Sequence, residues 1–152
     1  MSQWFQNIYE AGWQTVEEIL STLGTSEPNL AYGSRSADRN IDGNSAAGVR
    51  RAKIIDLGLL LDAHRVFLVV TLMPEADGRT NINFRVYPAS GQTCLPPNLQ
   101  LIVLDESGET ILEAQSRSAD NSIQLGFRGD RGDCFSIKIA LEDASVTEDF
   151  VI

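Results

Sequence analysis

The chain has few of the residues on which enzyme chemistry and metal binding depend. Its 152 residues include one histidine and two cysteines, and they contain no Gly-x-Ser-x-Gly elbow, phosphate loop or dinucleotide fingerprint. His64, with Cys94 and Cys134, cannot complete a Cys2His2 zinc site. A Cys–His nucleophile pair has no support in the surrounding sequence, and His64 is more simply a residue of a hairpin turn. We therefore expect no enzyme activity and no cofactor.

The chain also lacks long apolar stretches and an excess of basic residues. Its hydrophobic runs, such as 66–70, are much shorter than the roughly 20 residues that a membrane span requires. The 12 Lys and Arg residues against 21 Asp and Glu give a net charge of −9, which disfavours binding to phosphate backbones or anionic lipid. The N-terminus lacks the basic start of a signal peptide. These features predict a cytoplasmic protein with reduced cysteines, no membrane span and no nucleic-acid partner.

The N-terminal segment has the periodicity of an amphipathic helix. Between Ser2 and Leu23, apolar side chains recur every three or four residues, and polar side chains lie on the opposite face. Ser2 is the expected N-cap, Gly24 the expected end, and Gly12 falls on the apolar face. We predict a helix within residues 1–24. Its apolar positions are Phe5, Ile8, Tyr9, Trp13, Val16, Ile19, Leu20 and Leu23.

From residue 50 onward, the sequence has the two-residue periodicity of β-strands. The clearest example is 135–141, where large apolar residues alternate with Ser, Lys and Ala. Similar sets surround Phe84 and Leu125, and Gly-containing turn signals separate them. This spacing predicts an antiparallel β-sandwich of about eight strands over residues 50–152.

Two runs, 54–61 and 66–73, are apolar on both faces, which a strand needs only when both of its sides are covered. We therefore predict that the N-terminal helix packs on the outer face of the sheet that contains these strands. Residues 34–48 are polar and without periodicity, so they are expected to form a flexible loop. The whole chain, 1–152, is predicted to be one domain.

Several polar strings are candidate cation sites. Asp38, Asn40 and Asp42 precede a glycine as in a calcium loop, but Val49 stands at the twelfth position in place of the bidentate Glu. The acidic pairs at 105–106, 142–143 and 148–149 fall at predicted strand ends, where they either meet at one pole or simply keep the surface soluble. We predict no metal site, with Asp38, Asn40 and Asp42 as the candidates if one exists.

Two further strings have a structural and a functional interpretation. Residues 128–133 contain the tripeptide Arg-Gly-Asp twice, which we interpret as a Gly-containing hairpin loop rather than an adhesion motif. Arg50, Arg51 and Lys53 form the one basic cluster, which is interpreted as a solvated strand edge because no Gly-rich loop or helix start accompanies it.

Trp4 is the predicted interaction residue. It lies at the margin of the helix's apolar arc, where it is expected to stay exposed, and exposed tryptophan is enriched at interface hot spots. The alternative is that Trp4 folds down over the sheet edge.

The leading functional prediction is a non-enzymatic protein-interaction or assembly module that binds a protein partner or a second copy of itself. The alternatives are a ligand-binding sandwich for a saccharide or a divalent metal, and a hydrolase with paired carboxylates.

Several short strings, including Leu95-Pro96-Pro97-Asn98-Leu99, are distinctive as a set. They lie at 4–6, 11–14, 53–58, 95–99, 104–109, 115–118 and 145–152. Together they resemble the C-terminal half of a cyanobacterial family of domains of unknown function, number eighteen twenty-two, over nearly the whole chain except 34–48. The resemblance implies an intracellular cyanobacterial setting, and it supplies no mechanism and no catalytic residues.

Overall fold

A computed structural model describes residues 4, 8, 10–23, 48–57, 65–89 and 92–152. The predicted calcium-loop residues Asp38, Asn40 and Asp42 lie outside the described residues, as do His64 and the predicted loop at 34–48 up to residue 47.

The described part of the chain forms one helix and eight strands. These are α1 (Val16–Leu23), β1 (Val49–Asp56), β2 (Arg65–Pro74), β3 (Thr80–Pro88), β4 (Gln100–Asp105), β5 (Thr110–Gln115), β6 (Ile123–Gly129), β7 (Cys134–Leu141) and β8 (Ala144–Val151). The first sheet has the order β1-β2-β3-β6, the second has the order β5-β4-β7-β8, and all neighbouring strands are antiparallel. The predicted antiparallel β-sandwich of eight strands is confirmed.

Strand β2 is buried on both faces, as its sequence predicts. Val66, Leu68 and Val70 are fully buried in the core between the sheets. Phe67 and Val69 face the other way, and they are buried in a second cluster that includes Val16 and Ile19 of α1. The helix therefore packs on the outer face of the first sheet, and this prediction is also confirmed. Burying each such side chain contributes roughly 1.5–3 kcal/mol.

Three connections cross between the sheets, after β3, β5 and β6. Strand β6 returns to lie beside β3 after the β4–β5 hairpin in the opposite sheet, which is a Greek-key arrangement. The predicted hairpin at the two Arg-Gly-Asp strings is therefore wrong, because β6 and β7 belong to different sheets. A Cβ at Gly129 would force the buried side chain of Ile152 to shift, and Gly132 has a φ of +100° that favours glycine.

The helix is shorter than the predicted one, because it begins at Val16 rather than near Ser2. Gly12 lies in a turn with a φ of +94°, and Gln14 forms an isolated antiparallel bridge with Ala52 of β1, so neither residue is helical. Thr15 and Glu18 form a capping box. The Glu18 N–H donates to Thr15 Oγ1 at 3.2 Å, and the Thr15 N–H donates to Glu18 Oε2 at 2.9 Å.

The capping box gives a testable pH dependence. The hydrogen bonds from the backbone and side chain of Thr15 lower the pKa of Glu18, and the charge of Arg51 adds to this effect. A carboxyl whose pKa is lower in the folded chain stabilises the fold above the ordinary glutamate pKa, and this contribution is lost as the pH falls through the lower folded value. We expect Glu18→Gln to lower the free energy of unfolding at neutral pH, with the loss shrinking in acid.

Glu17→Gln is the matched control, because it removes the same charge from the same helical turn. Urea denaturation between neutral and acidic pH measures both variants. Equal losses for Glu17→Gln and Glu18→Gln would show that the capping box contributes nothing beyond the general preference for acidic residues at a helix start.

Candidate functional site

A two-layer sandwich has two open sides, and in this protein they are built differently. On one side, the edge strands are β1 and β8; on the other, they are β5 and β6. Unpaired strand edges and exposed core residues are where another chain can attach, so the less covered of the two sides is the candidate site.

The β1/β8 side is closed by an ion pair. Lys53 is opposite the core residue Leu68, and Glu148 is opposite the core residue Ile137, so both charged side chains point inward from edge strands. Lys53 Nζ lies 2.5 Å from Glu148 Oε1, and the two side chains are 22% and 19% exposed. The basic cluster thus lies on an edge strand as predicted, but Lys53 is not a solvated charge.

Tryptophan rings complete this closure. Trp13 is 3% exposed, its ring lies 5.7 Å from Phe150, and Lys53 Nζ lies 5.7 Å from its centroid. Trp4 packs against Trp13 with 4.9 Å between ring centroids. Two backbone hydrogen bonds of 2.9 Å between Gln14 and Ala52 pair the same segment with β1. The N-terminal segment therefore covers both the core and the strand edge.

The expected exposure of Trp4 is wrong, because its side chain is only 5% exposed and belongs to the core. The shortened helix explains the difference. Since residues 11–14 turn and pair with β1, Trp4 is not on the helix surface and folds into the sandwich. Because its ring is buried, Trp4 lacks the exposed surface on which its predicted role as an interaction residue depends.

The β5/β6 side has no comparable cover in the described part of the chain. Strands β5 and β6 each end their sheet, and no described residue pairs with their outer edges. Leu112, Leu125 and Phe127 pack against the core from these strands but remain partly exposed. Every residue of β5 is at least partly exposed.

A groove of about 550 Å³ lies at one end of this side. Its apolar part includes Ile111 of β5, Phe127 of β6 and Phe135 of β7, and the rings of Phe127 and Phe135 meet edge-to-face at 5.0 Å. Ile111 is 52% exposed. It is the extra residue of a β-bulge, because Leu112 pairs with Val103 and Thr110 with Leu104. The bulge presents this side chain at the groove.

The rim of the groove is acidic. It contains Asp105, Glu106, Asp133 and one cation, Arg128, whose Nε lies 3.2 Å from Glu75 of the β2–β3 turn. Asp105 Oδ1 accepts hydrogen bonds from the backbone N–H groups of its own turn, and Asp133 Oδ2 accepts one from Asp130. These bonds hold the two carboxylates in place at the rim.

The structure does not assemble a binding site at the other predicted positions that it describes. The acidic pairs do not meet, because 105–106 and 142–143 lie at opposite ends of the sandwich, and Glu148 pairs with Lys53. Within the described ranges, no three His, Cys, Asp or Glu residues are placed to hold a metal ion. A second cavity of about 490 Å³ is lined by Pro97, Asn98 and residues 115–118, which provide no aromatic ring for stacking a sugar. No described helix is long and apolar enough to cross a membrane.

Sequence reasoning missed the groove because its parts are distant in sequence and join only in the folded chain. One local signal was available. Ile111 and Leu112 are adjacent apolar residues, and they interrupt the alternation of apolar and polar residues in this strand. Such an interruption can mark a β-bulge.

The protein is thus an antiparallel β-sandwich whose β5/β6 side carries an apolar groove with an acidic rim. The chain belongs to the family described as protein of unknown function DUF1822, whose model matches residues 1–151 and thus also spans the segment that the sequence resemblance left out. No curated protein and no solved structure matches the chain.

The closure of the β1/β8 side gives a prediction about stability. Glu148→Gln leaves the Lys53 charge without its partner in a largely buried place, so we expect a loss of roughly 2–3 kcal/mol, between the values for exposed and buried pairs. The double variant Lys53→Met with Glu148→Leu should lose less stability than the sum of the losses of the single variants Lys53→Met and Glu148→Leu. Chemical denaturation measures the cycle.

The exposed pair of Arg65 and Asp56, with side chains 59% and 50% exposed, is the matched control. Asp56→Asn should cost at most about 1 kcal/mol. If Glu148→Gln cost no more than Asp56→Asn, the inward ion pair would not be a specific part of the closure.

Trp4→Ala is predicted to destabilise the fold by about 3–5 kcal/mol, because it removes a ring that is packed against Trp13 and Phe150. Ile8→Ala removes an apolar side chain from the same segment that is 54% exposed, and it should change stability by less than about 0.5 kcal/mol. Equal unfolding midpoints for the two variants would contradict the placement of Trp4 in the core.

Proposed function

We propose that the protein is a non-enzymatic protein-binding module, and that it holds its partner in the groove on the β5/β6 side. The observation that supports this most directly is Ile111, a large apolar side chain that the bulge keeps half exposed at the mouth of a groove floored by Phe127 and Phe135. Exposed apolar surface rimmed by polar groups is typical of protein interaction sites.

Binding rather than catalysis is favoured by the chemistry of the groove. Its side chains are aromatic, aliphatic and carboxylate, with one thiol at Cys134 and one guanidinium at Arg128 that is engaged by Glu75. Among the described residues that line the groove there is no histidine to act as a general base for a hydroxyl or thiol. Two free thiols, Cys94 and Cys134, support the accompanying proposal of a cytoplasmic location.

A partner different from the chain itself is favoured over self-association. Two copies that met through this side would bring two acidic rims together, in a protein whose net charge is −9. Like charges placed opposite one another in an interface are unfavourable. A homo-oligomer through this side would overturn this part of the proposal.

Site-specific photocrosslinking tests the proposed site. A photoreactive phenylalanine analogue is placed at Ile111 in the full chain, and irradiation is carried out in an extract of cells that make the protein. We expect a discrete adduct with another protein, which excess wild-type chain competes away and excess Ile111→Asp does not. The reason is that a carboxylate in place of Ile111 removes the apolar contact and has to lose its hydration when a partner covers the groove.

Met73 is the matched control position, because it is also an apolar strand residue and is 55% exposed, but it lies on β2 in the other sheet. The same analogue at Met73 should give no such adduct. Equal labelling from both positions, or no adduct from Ile111, would contradict a binding site in the groove.

A further inference from the structure

We propose that the partner enters the β5/β6 side as an extended cationic segment, which pairs with the outer edge of β5 and places an apolar side chain between Ile111 and Phe127. This inference rests on the proposed function, and it specifies the chemistry of the segment that the groove accepts.

The edge of β5 is the first support for strand pairing. Edge strands are commonly protected by inward-pointing charges or by a covering segment. Strand β1 has both, in Lys53 and the bridge to Gln14, and β8 has the inward Glu148. The inward residues of β5 are Leu112 and Ala114, which carry no charge. Below the bulge, 112–115 remain in regular register with β4, so four residues are available to pair with an added strand.

The opposite side of the same sandwich shows what such a segment does. There, the N-terminal segment bonds to β1 through two backbone hydrogen bonds at Gln14 and buries the rings of Trp4 and Trp13 between the sheets. On the β5/β6 side, Leu112 and Phe127 occupy the corresponding positions, and no described segment covers them in this way. Since side chains alternate along a strand, a segment paired with β5 would direct every second side chain over these residues.

Charge determines the remaining feature of the segment. Asp105, Glu106 and Asp133 surround the groove, and the one cation there, Arg128, is already paired with Glu75. A lysine or arginine next to the apolar anchor would therefore meet carboxylates on the rim, whereas an acidic segment would be repelled. This complementarity favours a cationic partner segment over a second copy of the acidic chain.

Selection from a library of random ten-residue peptides, displayed on phage and panned against the full chain at low ionic strength, tests the proposal. We expect the enriched peptides to combine an aromatic or large aliphatic residue with Lys or Arg at nearby positions. A fluorescein-labelled copy of the strongest peptide then gives affinities by anisotropy, and these should weaken as salt is added.

A pair of charge variants separates the groove from the overall charge of the protein. Glu106→Gln with Asp133→Asn removes two charges at the rim, and Glu142→Gln with Asp143→Asn removes two at the opposite end of the sandwich. The rim variant should weaken peptide binding at least tenfold, and the control should stay within twofold of the wild-type chain. Equal effects of the two variants would overturn the inference.

Backbone methylation tests pairing with β5. Alternate N–H groups of an added strand point toward its neighbour, so N-methylation of one set of alternating residues should abolish binding, and methylation of the other set should leave it nearly unchanged. Equal sensitivity of both sets would overturn strand pairing. Peptide binding that Ile111→Asp does not affect would overturn the location.

The outcomes distinguish this inference from the proposed function. If no peptide is enriched, or if the enriched peptides are acidic, the cationic segment is wrong. A crosslink from Ile111 to a protein would still support the groove as a binding site in that case. If no peptide is enriched and the photoreactive residue at position 111 gives no adduct, both the inference and the proposed function fail.

Discussion

The two-sided burial of β2 is the constraint on which the rest of the structure depends. Its inward residues, Val66, Leu68 and Val70, form the centre of the core between the sheets, and its outward residues, Phe67 and Val69, need a second cover. Helix α1 supplies that cover. To reach the outer face of the first sheet, the N-terminal segment has to pass the edge of β1, and this route brings Gln14 against Ala52 and the tryptophans into the β1/β8 side. One side of the sandwich is thereby closed by the chain itself, and no described residue covers β5 and β6 in the same way.

The sequence predicts the fold class well because the signals for it are local. Alternation in 135–141 and double-faced apolarity in 66–73 are each carried by adjacent residues, and the structure confirms what they indicate. The helix start is the informative failure. The apolar positions from Phe5 to Leu23 fit one helical face, but Gly12 and the bridge at Gln14 end that continuity, and the capping box Thr15-x-x-Glu18 marks the true start. The pairing of Gln14 with β1 decides where the helix starts, and helical periodicity alone does not encode that pairing.

The candidate site was beyond the reach of the same reasoning. Ile111, Phe127 and Phe135 come from three strands in two sheets, and nothing in their spacing along the chain indicates that they line one groove. These residues meet because of the way in which the strands are divided between the two sheets. That division depends on the three connections that cross between the sheets, and turn signals in the sequence do not encode them. The error at 128–133 has the same origin, since a glycine-rich turn between two strands is compatible with a hairpin and with a crossing.

The aromatic rings of the core connect the closed side to the groove. Trp4 and Trp13 meet Phe150, Phe150 meets Phe84 and Phe135, and both of these meet Phe127, with neighbouring centroids between 4.9 and 6.1 Å apart. Phe127 is therefore a structural residue and a groove residue at once, and its removal would disturb packing as well as binding.

Ile111 differs from Phe127 in this respect, because the bulge holds it outside the regular pairing of β4 and β5 and leaves it half exposed. A protein gains little stability from such a side chain, and an uncovered apolar residue beside an unpaired strand edge favours aggregation. The acidic rim opposes that tendency, since it repels other copies of this acidic chain. In the proposed function, an apolar anchor site, an edge that no described residue pairs with and an acidic rim would together select a cationic segment over a second copy of the chain.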